Sequence, residues 1–271
     1  MFDELADGVF RRQYDFLRLN IGVILGEDGA LVIDSRESHE AAEELAADIR
    51  SLTPKPVRWV VNTHWHWDHT FGNAVFSEAD IWGHRVARSR LVNDPDGGRS
   101  DARNWMPASR HGEIDRVEIV PPSHTFEAVA SIDVGTHTIE LAHHGRGHTD
   151  NDIVIHVDDV TFMGDLVEEG HAPFMGDAYL LDWPSTLAAV EPTAGRQIVP
   201  GHGGIGDHQW LVGCRHDMEL VADRLRDVLY EGRSVEDAAR HGPFDEADMH
   251  QALGRGIAWA GGIDDLTPWD G

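Results

Sequence analysis

Val57-Arg58-Trp59-Val60-Val61-Asn62-Thr63-His64-Trp65-His66-Trp67-Asp68-His69 is the stretch on which the reading of this chain turns. Its first half is β-branched and aromatic and is set off upstream by Pro54 and Pro56, so it reads as a buried strand over 57–62. Its second half delivers His64, His66, Asp68 and His69 where that strand should end. A side-chain period of two puts His64 and His66 on one face, and Asp68 and His69 begin the next turn. Three imidazoles and a carboxylate at one sheet edge suit zinc, iron or manganese, with no thiolate on offer.

Upstream of it, alternation over 16–34 about Gly26-Glu27-Asp28-Gly29 predicts a β-hairpin, and Ala41, Leu45, Ile49 and Leu52 predict a helix over 37–52. Downstream, a short strand is expected at 80–82, a Gly- and Asp-rich break at 93–100, and no clear element over 99–116. Strand patterns return at 117–120, 131–134, 138–142, 153–157, 160–163 and 197–199. A helix starts near Asp182 or Trp183, and the chain from 208 is mostly helical, with Ser234 and Asp245 as N-caps. Two β-rich blocks, each followed by helix and without strict βαβ alternation, predict two sheets flanked by helices. No linker interrupts the pattern, so 1–271 is expected to be a single domain with 208–271 as its helical C-terminal part.

Three later strand ends offer further ligands. His148 stands in Gly145-Arg146-Gly147-His148-Thr149-Asp150, Asp165 ends Phe162-Met163-Gly164-Asp165, and His202 lies in Pro200-Gly201-His202-Gly203-Gly204. The flanking glycines let the backbone turn into a crowded site. His-x-His-x-Asp-His at 64–69, followed in order by His148, Asp165 and His202, resembles the metallo-β-lactamase superfamily over roughly 17–206. The resemblance implies an α/β chain of the α+β type, a four-layer αββα sandwich with a metal site at one edge of its two sheets. It implies His64, His66 and His148 on one ion, Asp68, His69 and His202 on a second, and Asp165 bridging them. The implied cofactors are two divalent ions, zinc first, with iron or manganese as alternatives. Zinc lowers the pKa of bound water from about 15.7 towards about 7, so the implied reaction is hydrolysis by a metal-held hydroxide, with Asp68 as the catalytic residue that orients it or shuttles its proton.

Within that superfamily the bridging Asp165 looks like glyoxalase II, lactonases and other dinuclear hydrolases. Antibiotic-hydrolysing members generally lack it, and some grip substrate with a downstream lysine, where this chain has Leu166-Val167-Glu168-Glu169-Gly170. The acidic C-terminal part argues against a glutathione thioester. The expected substrate is a small-molecule ester, lactone, thioester or amide. The alternatives are a β-lactam-hydrolysing enzyme, a persulfide dioxygenase with one iron, and a non-catalytic metal-dependent binding protein.

Composition narrows the partners. With 22 Lys+Arg against 48 Asp+Glu, the formal charge is −26, and Lys55 is the only lysine. Such a field repels phosphate backbones and anionic lipid, which excludes nucleic-acid and membrane-surface partners and favours a neutral or weakly charged substrate. One cysteine, Cys214, allows no intramolecular disulfide. The acidic start of the chain and the lack of an apolar run of about 20 residues predict a cytoplasmic protein. Oligomeric state is left open. Asn73 is a candidate support for the ligands, 105–107 a candidate lid, Arg146 an ion-paired side chain, and His143, His144 and His171 structural or rim residues.

Overall fold

A computed structural model describes residues 1–261. Its first sheet runs in chain order: β1 (Asp3–Ala6), β2 (Val9–Gln13), β3 (Asn20–Leu25), β4 (Ala30–Ile33), β5 (Val57–Val61), β6 (Asp80–His84) and β7 (His124–Phe126). The first four strands pair antiparallel; β4 to β7 pair parallel. Parallel neighbours need a crossover, and α1 (His39–Leu52) supplies the first one, capped by Ser38 Oγ accepting from the Ala41 N–H at 3.2 Å. The second sheet is β8 (Val129–Asp133), β9 (Thr138–Ala142), β10 (Val154–Val157) and β11 (Val160–Gly164), antiparallel throughout, with β12 (Gln197–Pro200) parallel to β11.

Strand alternation sorts the side chains into layers. Ile24, Leu31, Ile33 and Val61 of the first sheet meet Ile139, Leu141, Ile155 and Phe162 of the second. The opposite faces of β3 and β4 place Ile21, Val23 and Val32 under Ala42, Leu45 and Ile49 of α1. The outer face of the second sheet, with Val154 and Ile198, is covered by α6 (Trp183–Val190), α7 (His208–Glu231) and α9 (Glu246–Ala260) through Trp183, Leu187, Val221, Leu225 and Leu253. The result is the four-layer αββα sandwich. Among the described residues no helix is long and apolar enough to cross a membrane.

Some local expectations change. The 93–100 stretch is helical: α3 (Arg85–Asn93) gives way to α4 (Pro95–Trp105), because Asp94 accepts from the Gly97 N–H at 2.9 Å and Pro95 takes the first turn. α5 (His111–Arg116) follows. The run at 117–120 joins no sheet; Val117 packs with Trp67 and Phe71, and the strand of this region is β7. The 16–34 hairpin starts late, since Phe16–Arg18 is a 3-10 turn, and the outer β1–β2 pair has no apolar signature. α2 (Trp67–Thr70) is one helical turn, and α8 (Val235–Arg240) and α9 are capped by Ser234 and Asp245 as expected. The expected helical part over 208–271 is helical as far as 260, and its last ten positions lie outside the described residues.

The two sheets pack tightly at Gly22, where a Cβ would sit 2.7 Å from the Phe162 ring of the opposite sheet and 2.9 Å from Ile33 of its own. Gly22→Val should therefore cost about 1–3 kcal/mol through overpacking. Urea unfolding at fixed metal loading reads this directly; an unchanged midpoint would contradict the sheet-to-sheet contact.

Candidate metal centre

All seven sequence-derived ligands converge at one end of the sandwich. β5 stops at Val61, one residue before Asn62, so His64 and His66 sit in a bend and owe their placement to loop geometry rather than strand period. α2 then carries Asp68 and His69. His148 follows β9, Asp165 follows β11 and His202 follows β12. Each of the seven is at least nine-tenths buried. Two groups form, His64, His66, His148 and Asp165, and Asp68, His69, Asp165 and His202; within each group the candidate ligand atoms lie within 4.8 Å of one another. Asp165 belongs to both.

The aim of every imidazole follows from what its rear nitrogen bonds. His69 Nδ1 donates to Asp34 Oδ2 at 2.8 Å, His66 Nε2 to Asp177 Oδ2 at 2.9 Å, His148 Nδ1 to the Phe174 carbonyl at 3.0 Å and His202 Nδ1 to the Leu17 carbonyl at 2.8 Å. Thr63 Oγ1 donates to Asp34 at 2.9 Å and accepts from His64 Nδ1 at 3.0 Å. Each ring therefore turns its remaining nitrogen, Nδ1 in His66 and Nε2 in the other four, toward the centre. Beneath the loop, Asn62 and Ser35 donate to the His69 carbonyl at 3.1 Å, and both also bond Asn73 Oδ1. Asn73 thus supports the backbone that carries the ligands, one layer removed from them.

With all five rings neutral, the front atoms have no adequate partners within the protein. His66 Nδ1 faces His148 Nε2 at 2.8 Å, two acceptors whenever both rings are neutral with their rear N–H groups committed. His64 Nε2 and Asp165 Oδ1 are buried and form no hydrogen bond. Orphaned buried acceptors are costly, and a divalent ion in each group would satisfy them together. The all-nitrogen-and-oxygen donor set fits such an ion. Gly201 allows the close approach: a Cβ there would lie 1.7 Å from Asp165 Oδ1.

Asp34, Asp177 and Thr63 were not foreseen. Asp34 ends the expected hairpin, but single acidic residues at strand ends are too common to mark a role. Asp177 lies 111 positions from His66, so no local spacing could link them. Among the other candidates, Arg146 pairs with Asp182 and stacks over Tyr179, as a structural arginine would. His143 donates to the Asp152 carbonyl at 2.8 Å, away from the ligand groups, while His171 lines the cavity rim. Cys214 is half-buried in α7, and burial pushes its thiol up to about 12, consistent with packing rather than chemistry.

The two groups floor a cavity of about 460 Å³. Trp67, Trp105 and Phe174 give it apolar walls, and Trp105, 53% exposed, stands at its mouth where a lid was expected. Trp65 packs instead on Ala87 and Leu91. Glu168 also lines the cavity; burial, with Asp165 nearby, pushes its carboxyl up to about 8.

A family model described as the Metallo-beta-lactamase superfamily matches residues 14–210. A curated "Metallo-beta-lactamase type 2" of Bacillus cereus is 24% identical over 208 residues, covering 74% of this chain and 72% of that protein. One of Elizabethkingia meningoseptica is 22% identical over 214 residues, 75% of each chain. The solved metallo-beta-lactamase from Pontibacter korlensis superposes with a TM-score of 0.65 at 19% identity, over 81% of this chain and 98% of that one. At that identity the solved structure bears on the fold alone.

The metal-free cluster stores protons. Burial lowers every imidazole, but Asp177 and then Asp68 and Asp165 outweigh it at His66, pushing it up to about 9, and Asp165 with Asp68 holds His69 and His202 well above the usual range. His148 is pushed down to about 4 by burial and by His66, so it is neutral. Protons on His66, His69 and His202 compete with a cation, so divalent-ion affinity should rise from pH 6.5 to about 9, with proton release on binding. Chelator competition across that range, and calorimetry in buffers of different ionisation enthalpy, check the sign. Affinity independent of pH would contradict it.

Proposed function

Since the chain belongs to the metallo-β-lactamase superfamily and is a metallo-hydrolase of it, we propose that it cleaves an ester, lactone, thioester or amide bond in a small molecule at a dinuclear, zinc-type centre. His64, His66 and His148 would hold one ion and Asp68, His69 and His202 the other, with Asp165 available to both. The observation that carries the reading is Asp165, shared by two four-residue ligand groups at the floor of a cavity of small-molecule size. Such ions, when bound, bring the pKa of water down towards about 7 and polarise a carbonyl oxygen. Nitrogen and oxygen donors without sulfur are compatible with zinc, iron or manganese, and the four donors of each group, three imidazoles with Asp165 in the first and two with Asp68 and Asp165 in the second, would suit the tetrahedral preference of zinc.

This chain's own residues do the rest. Asp68 lines the cavity beside His202 Nε2, 3.2 Å away, and is the group placed to take a proton from the attacking water and return it to the leaving group. Trp67, Trp105 and Phe174 hold the apolar part of a substrate and exclude water. The lining carries Asp15, Asp101 and Asp248 against one arginine, Arg18, which Glu169 engages at 3.0 Å. Away from the ions, that balance favours uncharged or cationic substrate groups over carboxylates. Cyclic amides stay within the reading, because the curated relatives bear the name metallo-beta-lactamase. The chain as a whole acts as one domain, its C-terminal helices included.

A hydrolase panel of neutral lactones, thioesters, esters and β-lactams tests the reading together with metal analysis. The expected result is about two zinc per chain, turnover of at least one neutral substrate, loss of turnover on chelation and its return with zinc. Asp68→Ala should lower kcat by about 10²–10⁴ with folding retained. One iron per chain with oxygen uptake on a persulfide would overturn the proposal, as would undiminished turnover in Asp68→Ala.

A further inference from the structure

α9 lies wholly beyond the residues matched by the family model, 14–210, yet it reaches the loop behind the candidate metal centre. Met249, Ala252 and Leu253 seat it in the core under α7. On the same helix Arg255 is only 6% exposed. The groups it bonds, among the described residues, are carbonyl oxygens: Nε donates to Ala178 at 3.3 Å and Nη2 to Asp177 at 3.2 Å, with the Tyr179 ring centroid 5.7 Å from Cζ. Burying a guanidinium against neutral acceptors is expensive and contributes little to stability by itself. What it touches makes the placement intelligible.

The two carbonyls belong to the loop between β11 and α6, and that loop orients two rings of the first ligand group. Its Phe174 carbonyl takes the His148 Nδ1 proton at 3.0 Å, and its Asp177 carboxylate takes the His66 Nε2 proton at 2.9 Å. Asp177 Oδ1 is buried without a hydrogen-bond partner, so the carboxylate is held by the His66 bond and by its own backbone. That backbone is where Arg255 attaches. The planar fork spans two successive carbonyls, which a lysine ammonium cannot reproduce with the same geometry.

We propose that Arg255 is a positioning residue of the metal centre: by fixing the backbone at Asp177 and Ala178, it holds Asp177 against His66 and sets the aim of His66 Nδ1. The C-terminal helical part is then a working piece of the site. The inference rests on reading His64, His66, His148 and Asp165 as the ligands of an ion.

The test uses the full chain, stripped of metal by a chelator and titrated with zinc against a chromophoric chelator, with cobalt(II) absorption as the signature of ligand geometry. Arg255→Met and Asp177→Asn should each weaken one of the two zinc-binding steps by about 10–100-fold, leave the other unchanged, and alter the cobalt spectrum alike. The double variant should bind no more weakly than Asp177→Asn alone, and Arg255→Lys should recover only part of the loss. Arg255→Met that folds, binds both ions as tightly as the parent and keeps its cobalt spectrum overturns the inference, as does strict additivity of the double variant. If Arg255→Met does not fold, Arg255→Lys decides: parental affinity and spectrum overturn the inference, and partial loss with the Asp177→Asn signature supports it. A parent chain that binds no divalent ion removes the metal-centre reading and this inference with it.

Discussion

Five imidazoles pointed at one place are tolerable only if each has surrendered its other nitrogen. That constraint organises this molecule. Asp34, Thr63, Asp177 and the carbonyls of Leu17 and Phe174 each take the rear proton of one ring, and all but Phe174 and Asp177, which share one loop, come from different parts of the chain. Both sheets are needed to deliver them: Asp34 follows β4 of the first, and His148, Asp165 and His202 follow strands of the second. The sandwich core of Leu31, Ile33, Leu141 and Phe162 fixes the two sheets against each other. Fractions of an ångström at the ligands therefore depend on ordinary apolar packing some distance away.

The candidate metal ligands were legible in the sequence, and the residues that aim them were not. His64, His66, Asp68 and His69 announce themselves by spacing, because one loop supplies all four. His148, Asp165 and His202 show as lone ligands at strand ends beside glycine. Asp34 and Asp177 carry no such mark: their meaning lies in a single long-range hydrogen bond each, which leaves no periodicity. The same division holds for the fold. The strands flanking the core read clearly from β-branched alternation, as with β3, β4, β9 and β10. The β1–β2 edge and β7, with charged or mixed faces, did not. At 93–100 the Gly- and Asp-rich composition predicts a break, whereas capping by Asp94 and the burial of Gly98 and Ala102 decide a helix.

Electrostatics act at two ranges. The formal charge of −26 looks decisive in sequence, but screening at physiological salt confines surface charge to about 8 Å. A substrate inside the cavity feels Asp15, Asp101, Asp248 and the paired Arg18 far more than the distant surface. Composition and lining point the same way, against carboxylate substrates, but for separate reasons. The first affects encounter, and the second affects residence.

The C-terminal helices join these strands of argument. Asp248 and Gln251 of α9 form part of the cavity wall, while Arg255, one to two turns on, grips the loop that bears Asp177 and Phe174. One helix thus meets both the substrate space and the scaffolding of the ligands. On these proposals, what the cavity admits and how firmly His66 is held within it depend in part on residues past 240, outside the ligand set. Because Arg255 sits in a helix whose Met249, Ala252 and Leu253 are core residues, its fork cannot drift without unpacking that core. Rigidity at the metal is in this way borrowed from the helical layer.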